Sequence, residues 1–328
     1  MKIDIHSHYI PEAFIQKVKT DPTRFRIKVE QREGREFFVH QEGFAYPLFD
    51  SFYDVRTKIA DLDAKRLELS VLSAPPTLFY YWTDVETASE VCRVYNDSVS
   101  EFVRANPGRF AGMAIVPLQD VEASVKELQR CHDELGLRAV EVGSHVEGRQ
   151  FDDPSFMPFF EKAEELGMLV FFHPYYIGNK AGLEKYYLTN LLGNPIDTSV
   201  AISHIILGGL LQKCPNLKLY FAHGGGFIPY QMGRLEHGHR VRQESRVHLE
   251  QNPVQDIKKL IFDSIVFRPE MLKFLVDVQG EDQIVLGTDF PFDMGEEDPY
   301  GFVMNTAGLS DSQKRKIVGE NAARLLRL

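Results

Sequence analysis

The chain opens MKIDIHSHYIP, with His6 and His8 a single residue apart. On an extended strand, residues two apart point to the same side, so an H-x-H pair delivers two imidazoles to one space, as a facial pair of metal ligands requires. Other ionisable residues close apolar runs: His173 ends LVFFH, His223 ends LYFAH, and Asp289 follows IVLGT. Taken singly, each has a bland explanation, a histidine packed beside aromatics or a carboxylate capping the turn before Pro291. Taken together, three neutral imidazoles and a carboxylate form a donor set suited to one divalent metal, zinc first, with iron(II) or manganese as alternatives. Asp4 shares the parity of His6 and His8 and is expected to point inward one layer deeper, either orienting a ligand or filling the barrel with a hydrogen-bonded carboxylate, and not binding metal. Gly224, Gly225 and Gly226 follow His223, serving either close approach of substrate to the backbone or a flexible turn.

These side chains meet only if the runs that carry them are strands ending at one face. Short apolar runs at residues 3–6, 71–74, 110–116, 139–142, 169–173, 218–222, 260–263 and 284–286 read as strands. Helical periodicity fills the gaps at residues 55–69, 85–105, 121–135, 154–166, 195–211, 227–237, 270–278 and 310–326, with Asp84, Asp120 and Ser310 as N-caps and Asp153 before Pro154. Eight β-then-α units with apolar strands indicate a parallel sheet covered on both faces, and eight is the number that closes a (β/α)8 TIM-type barrel of the α/β class. The competing doubly wound sheet lacks its G-x-G-x-x-G signal. Residues 20–50 break the rhythm and read as a small β insertion after strand 1, over the mouth of a single domain spanning 1–328. In such a barrel the chemistry sits at the C-terminal strand ends.

Composition narrows the function. The 328 residues carry 37 Lys+Arg against 47 Asp+Glu, a formal charge of -10, and no basic cluster, which argues against nucleic acid or an anionic membrane as partner. The three cysteines are widely spaced without C-x-x-C, so metal binding falls to histidine and carboxylate, and a reducing compartment is expected. The N-terminus lacks a signal-peptide stretch, and residues 201–211 are too short and polar for a membrane span. A cytoplasmic protein without organic cofactor is the expectation.

The opening MKIDIHSH, FFHPYY around His173, FAHGGGFIPYQMGRLEHG around His223 and VLGTDFPF around Asp289 resemble the amidohydrolase superfamily, and within it the branch of the α-amino-β-carboxymuconate-ε-semialdehyde decarboxylases. The likeness covers nearly the whole chain, including LFYYWTD near Trp82 and EVGSHV near His145. It implies a distorted (β/α) barrel in which His6, His8, His173 and Asp289 bind one metal, usually zinc, with His223 catalytic beside a metal-bound water. General chemistry agrees: a bound divalent metal lowers the pKa of water from about 15.7 toward about 7, and an imidazole accepts a proton near working pH. The fourth strand lacks the lysine of two-metal members, so a mononuclear site is expected. His145 is either a pocket residue or a loop histidine, and His40, His132, His237, His239 and His248 read as surface residues.

The resemblance also implies a homodimer in which Arg234 reaches a carboxylated substrate across the interface. A second substrate-binding arginine of that branch is missing from GFAYPLFDSFYD, and Arg35 is out of register. Trp82, Tyr175, Tyr176 and the aromatic segment 44–53 either line the pocket or pack the insertion. The function expected is metal-dependent decarboxylation of a small carboxylated unsaturated or aromatic acid, with hydrolysis of an amide, ester or lactone as runner-up. A non-catalytic barrel binding a metal or small acid is the reading from outside enzymology.

Overall fold

Every apolar run identified above is a strand in the computed structural model, which describes residues 1–32, 34–41, 45–175 and 181–328. The first barrel strand is β1 (Ile3–His8); a three-stranded antiparallel sheet follows, β2 (Ile27–Arg32), β3 (Arg35–His40) and β4 (Ala45–Pro47). The barrel continues through β5 (Leu69–Ser73), β6 (Phe110–Ile115), β7 (Ala139–Gly143), β8 (Leu169–His173), β9 (Lys218–Phe221), β10 (Ile261–Asp263) and β11 (Ile284–Val285). Neighbours in sequence are neighbours in space, all parallel, in the order β1-β5-β6-β7-β8-β9-β10-β11. Ile5 N–H donates to Leu286 O at 3.0 Å and Ser7 bridges Phe290, bringing the last strand back to the first in a nearly closed (β/α)8 barrel.

Alternation along the strands sorts their side chains. Ile3, Ile5, Leu69, Val71, Met113, Ala139, Leu169, Phe171, Tyr220 and Val285 fill the barrel interior, and the opposite parity packs against the helices. The caps behave as their chemistry requires: Asp84, Asp120 and Ser310 accept from the N–H groups of Thr87, Ala123 and Gln313. Helix Val85–Ala105 has the expected bounds, whereas residues 310–326 are not one helix but Asp311–Arg315 and Asn321–Leu326 joined by a wide π turn. Helices Glu12–Thr20 and Pro253–Ile257 were not foreseen.

The strand β1 departs from simple alternation. Asp4 stands opposite Ser70 and Ser7 opposite Leu72, so Ile5 and His6 together face the single residue Val71. This β-bulge reverses parity between Asp4 and His6. Asp4 therefore does not fill the barrel as expected; it lines an outer crevice with Ser7, Lys58, Asp61 and Ser70. There it accepts the backbone N–H of His6 at 3.1 Å and the Thr288 hydroxyl at 2.8 Å, bracing the backbone of the bulge.

Candidate metal centre

The bulge turns His6 and His8 into the barrel mouth, where they meet His173 from the end of β8 and Asp289 from the segment after β11. One donor atom from each of these four buried residues lies within 4.8 Å of the others. The three imidazoles stand edge to face, with centroids 5.1 to 5.2 Å apart. In each ring Nδ1 is already engaged, on Asp263 Oδ2 (3.1 Å) for His6, Ala74 O (3.0 Å) for His8 and Pro174 O (3.0 Å) for His173. That leaves Nε2 facing the shared space; those of His6 and His173 are buried with no hydrogen-bond partner among the described residues. Orphaned buried ring nitrogens converging beside a carboxylate fit a metal ion, whose binding would satisfy them.

The electrostatics of the cluster follow from its burial. Burial drives the pKa of His173 well below the ordinary imidazole value, and the neighbouring histidines add to that. Burial also lowers His8, against the pull of Asp289. For Asp289 burial acts upward, but hydrogen bonds from His223 and His8 overcome it and hold the carboxyl well below its usual range. Neutral imidazoles and an ionised carboxylate are the forms that ligate metals.

His223 stands at the edge of this group. Its Nε2 lies 3.4 Å from Asp289 Oδ2, and its Nδ1 is buried with no partner among the described residues. Burial acts to lower its pKa, but the bond and charge of Asp289 prevail and raise it. The glycines after it are required by geometry: at positive φ throughout, a Cβ would meet Val266 at 2.6 Å from Gly224, the Phe262 ring at 2.6 Å from Gly225 and Pro195 O at 2.4 Å from Gly226.

A cavity of about 470 Å³ opens beside His223 and Asp289. Its walls are Leu191, Pro195, Phe227, Tyr230, Phe267 and Met271, with Asn190 and Asn194 among them; no lysine or arginine lines it among the described residues. Arg234 lies one helical turn beyond Tyr230 in Ile228–Val241, exposed and without an ion-pair partner among the described residues. Trp82 is not brought to the cluster: its ring stacks on Tyr80 at 4.9 Å with the Arg26 guanidinium at 5.3 Å, joining the insertion to the barrel. Tyr175 is buried against Phe79, Tyr81 and His145, its N–H bonded to Asp197 at 2.8 Å, and lies outside the cavity wall. Phe44 and Tyr176 lie outside the described residues.

Sequence reasoning missed three residues. Phe292 sits edge-on over His8 at 5.0 Å and packs on Tyr46 and Phe52, so the insertion covers the centre through it. Asp263 ends β10, the same position in its strand that singled out His173, and this signal would have found it. Glu141, mid-strand in β7 at the parity of interior Ala139, accepts Ala74 N–H at 2.6 Å; burial pushes its carboxyl well above the usual range. His145 is a loop histidine, its Nδ1 accepting Gly148 N–H at 3.2 Å. His40 and His239, expected at the surface, are both buried, the latter bonded to Leu249 O at 2.7 Å.

An inward-facing His₃Asp cluster at the C-terminal mouth of a (β/α)8 barrel defines the class of metal-dependent barrel hydrolases and lyases. The amidohydrolase family model matches residues 3–328, and the chain belongs to that family. It is 36% identical to the 2-amino-3-carboxymuconate-6-semialdehyde decarboxylase of Dictyostelium discoideum, over 100% of this chain and 92% of that one. It is 28% identical to a gamma-resorcylate decarboxylase of Rhizobium radiobacter, over 84% of this chain and 87% of that one. The crystal structure of a dihydroxybenzoic acid decarboxylase from Polaromonas, with bound manganese and the inhibitor 2-nitroresorcinol, superposes with a TM-score of 0.83 at 22% identity, covering 100% of this chain and 97% of that one.

Proposed function

We propose that the protein is a metal-dependent carboxy-lyase that decarboxylates a small aromatic or conjugated carboxylic acid. The observation that carries this reading is the set of orphaned Nε2 atoms converging with Asp289 beside His223, in a chain related over its full length to a decarboxylase. His6, His8, His173 and Asp289 would hold one divalent ion, zinc by the chemistry of the donor set, which would supply Lewis acidity and an acidified water. His223 then holds or moves the proton at Nε2, steadied by Asp289, as general acid and base. Phe292, Tyr46 and Phe52 keep bulk water from the reacting carbon, and the apolar cavity wall accommodates a planar ring.

A carboxylated substrate needs a cation that the described cavity wall does not contain. Arg234, exposed beside an apolar rim of Phe227, Tyr230, Phe267 and Met271, fits the reading that two copies pair over this rim and that each lends its arginine to the other. Three buried free cysteines suit a reducing compartment, in line with a cytoplasmic enzyme, and no helix among the described residues is long and apolar enough to cross a membrane. The deciding experiment strips the purified protein with chelator, reloads it with zinc or manganese, and follows carbon dioxide from a panel of aromatic and muconate-type acids. Metal-dependent release supports the reading. Turnover of esters, lactones or amides with every carbon retained and no carbon dioxide would replace it with a hydrolase.

A further inference from the structure

The fully buried carboxylate of Asp263 belongs to no role assigned above, yet five donors converge on it. Oδ2 accepts from His6 Nδ1 (3.1 Å), the Tyr220 hydroxyl (3.1 Å) and the backbone N–H of His223 (3.0 Å). Oδ1 accepts the N–H groups of Gly224 (2.9 Å) and Ile265 (3.1 Å). A carboxylate offers roughly four lone-pair sites, so none is left over. We infer that Asp263 is a positioning residue that ties the imidazole of His6 to the turn carrying His223, so that one carboxylate sets both the metal-facing nitrogen and the aim of the reactive histidine. The inference rests on the metal-dependent reading above.

Two arguments carry it. An ionised carboxylate only accepts, so the His6 proton resides on Nδ1 and its Nε2 lone pair is turned to the cluster. His8 and His173 are oriented by backbone carbonyls, so among the described residues His6 is the one histidine of the cluster whose Nδ1 meets a charged side chain. The second argument is conformational. His223 adopts φ 54°, the left-handed region a β-carbon disfavours, and begins a run of left-handed residues continued by Gly224, Gly225 and Gly226. Strain of this kind persists only where neighbours over-determine it, and the N–H groups of His223 and Gly224 are both fastened to Asp263. Tyr220, stacked on Phe171 at 4.3 Å inside the barrel, anchors the carboxylate from below.

The test uses the zinc-loaded full chain and Asp263→Asn. Zinc affinity, read by competition with a chelator, is expected to fall about 10- to 100-fold. With zinc saturating, kcat is expected to remain at least about tenfold low while KM moves less than about twofold, because supplementation refills the site without re-aiming His223. A purely structural carboxylate predicts the opposite, and unchanged zinc affinity or full recovery of kcat with excess zinc overturns the inference. Should Asp263→Asn fail to fold, nitrogen-detected NMR of wild-type zinc protein decides: a His6 proton on Nδ1 supports the coupling, and a proton on Nε2 overturns it. The affinity and NMR measurements use no turnover. If no acid is decarboxylated by the wild-type protein, it is the proposed function that fails, and the carboxylate's hold on His6 is judged separately.

Discussion

His223 and Asp289 face each other across 3.4 Å, Nε2 to Oδ2, and both do so from left-handed backbone, with φ of 54° and 59°. Each is a non-glycine residue just past a strand end, where the chain turns sharply enough to throw the side chain across the barrel mouth. The strain, of order 1–3 kcal/mol at each position, is a cost the surrounding fold sustains to bring the pair together.

Removing His223 separates proton transfer from metal binding. His223→Ala is expected to retain wild-type metal content, because the four-donor cluster does not include it, while carbon dioxide release falls by about 10²- to 10⁴-fold. Metal analysis beside a turnover assay checks this; loss of metal in the variant would make His223 a ligand instead.

His173→Ala should do the reverse. With one of the orphaned imidazoles gone, bound metal should drop below stoichiometry even after reconstitution, and activity should fall with it. Elemental analysis after dialysis reads the result, and full retention of one equivalent contradicts the ligand set.

Arg234 can be assigned by mixing subunits. His223→Ala and Arg234→Ala proteins should each be nearly inactive, while a 1:1 co-refolded mixture should recover about a quarter of wild-type activity if two copies pair and the arginine acts across the interface, since about half of the dimers are hybrids and each hybrid keeps one intact site of two. No recovery, with hybrids verified by mass, places Arg234 in its own subunit's chemistry or in none.

Gly225→Ala tests the turn. A Cβ there lies 2.6 Å from the Phe262 ring at φ 75°, so both contact and backbone oppose it, and a loss of roughly 2–4 kcal/mol is expected. Thermal melting reports it; an unchanged melt would mean the ring yields freely.

The acid side of the stability profile should depend on His40. Burial lowers its pKa to about 4 from 6.5, so the unfolded chain takes up a proton before the folded one does. The stability is complete above about pH 6.5 and is lost as pH falls toward about 4, by roughly 3 kcal/mol in all. His40→Phe should therefore narrow the difference in Tm between pH 7 and pH 5; an identical difference assigns the acid sensitivity elsewhere.

Much of this was legible from residue order alone, because strand and helix periodicity are local and eight short apolar runs admit few arrangements. The ends of those runs marked His173, His223 and Asp289, since in a parallel barrel every strand finishes at the same face. Asp263 satisfies the same rule, and what distinguishes it is its hold on His6 and His223, residues 257 and 40 positions away in the chain. Trp82, open between lining the pocket and packing the insertion, takes the second place, and Asp4 takes the face opposite to the one expected, for different reasons. An aromatic near a strand end packs wherever an insertion happens to lie, and a single extra residue in β1 exchanges inside for outside.

The sequence by itself determined the barrel, its insertion and the residue types able to hold a metal, all of which follow from patterns a few residues long. Only the tertiary structure decided that Asp4 faces the helices, that Phe292 and not Trp82 covers His8, and that Asp263 joins His6 to His223. Those relationships depend on a bulge and on contacts between residues far apart in the chain, where a displacement of one residue reverses the face a side chain presents.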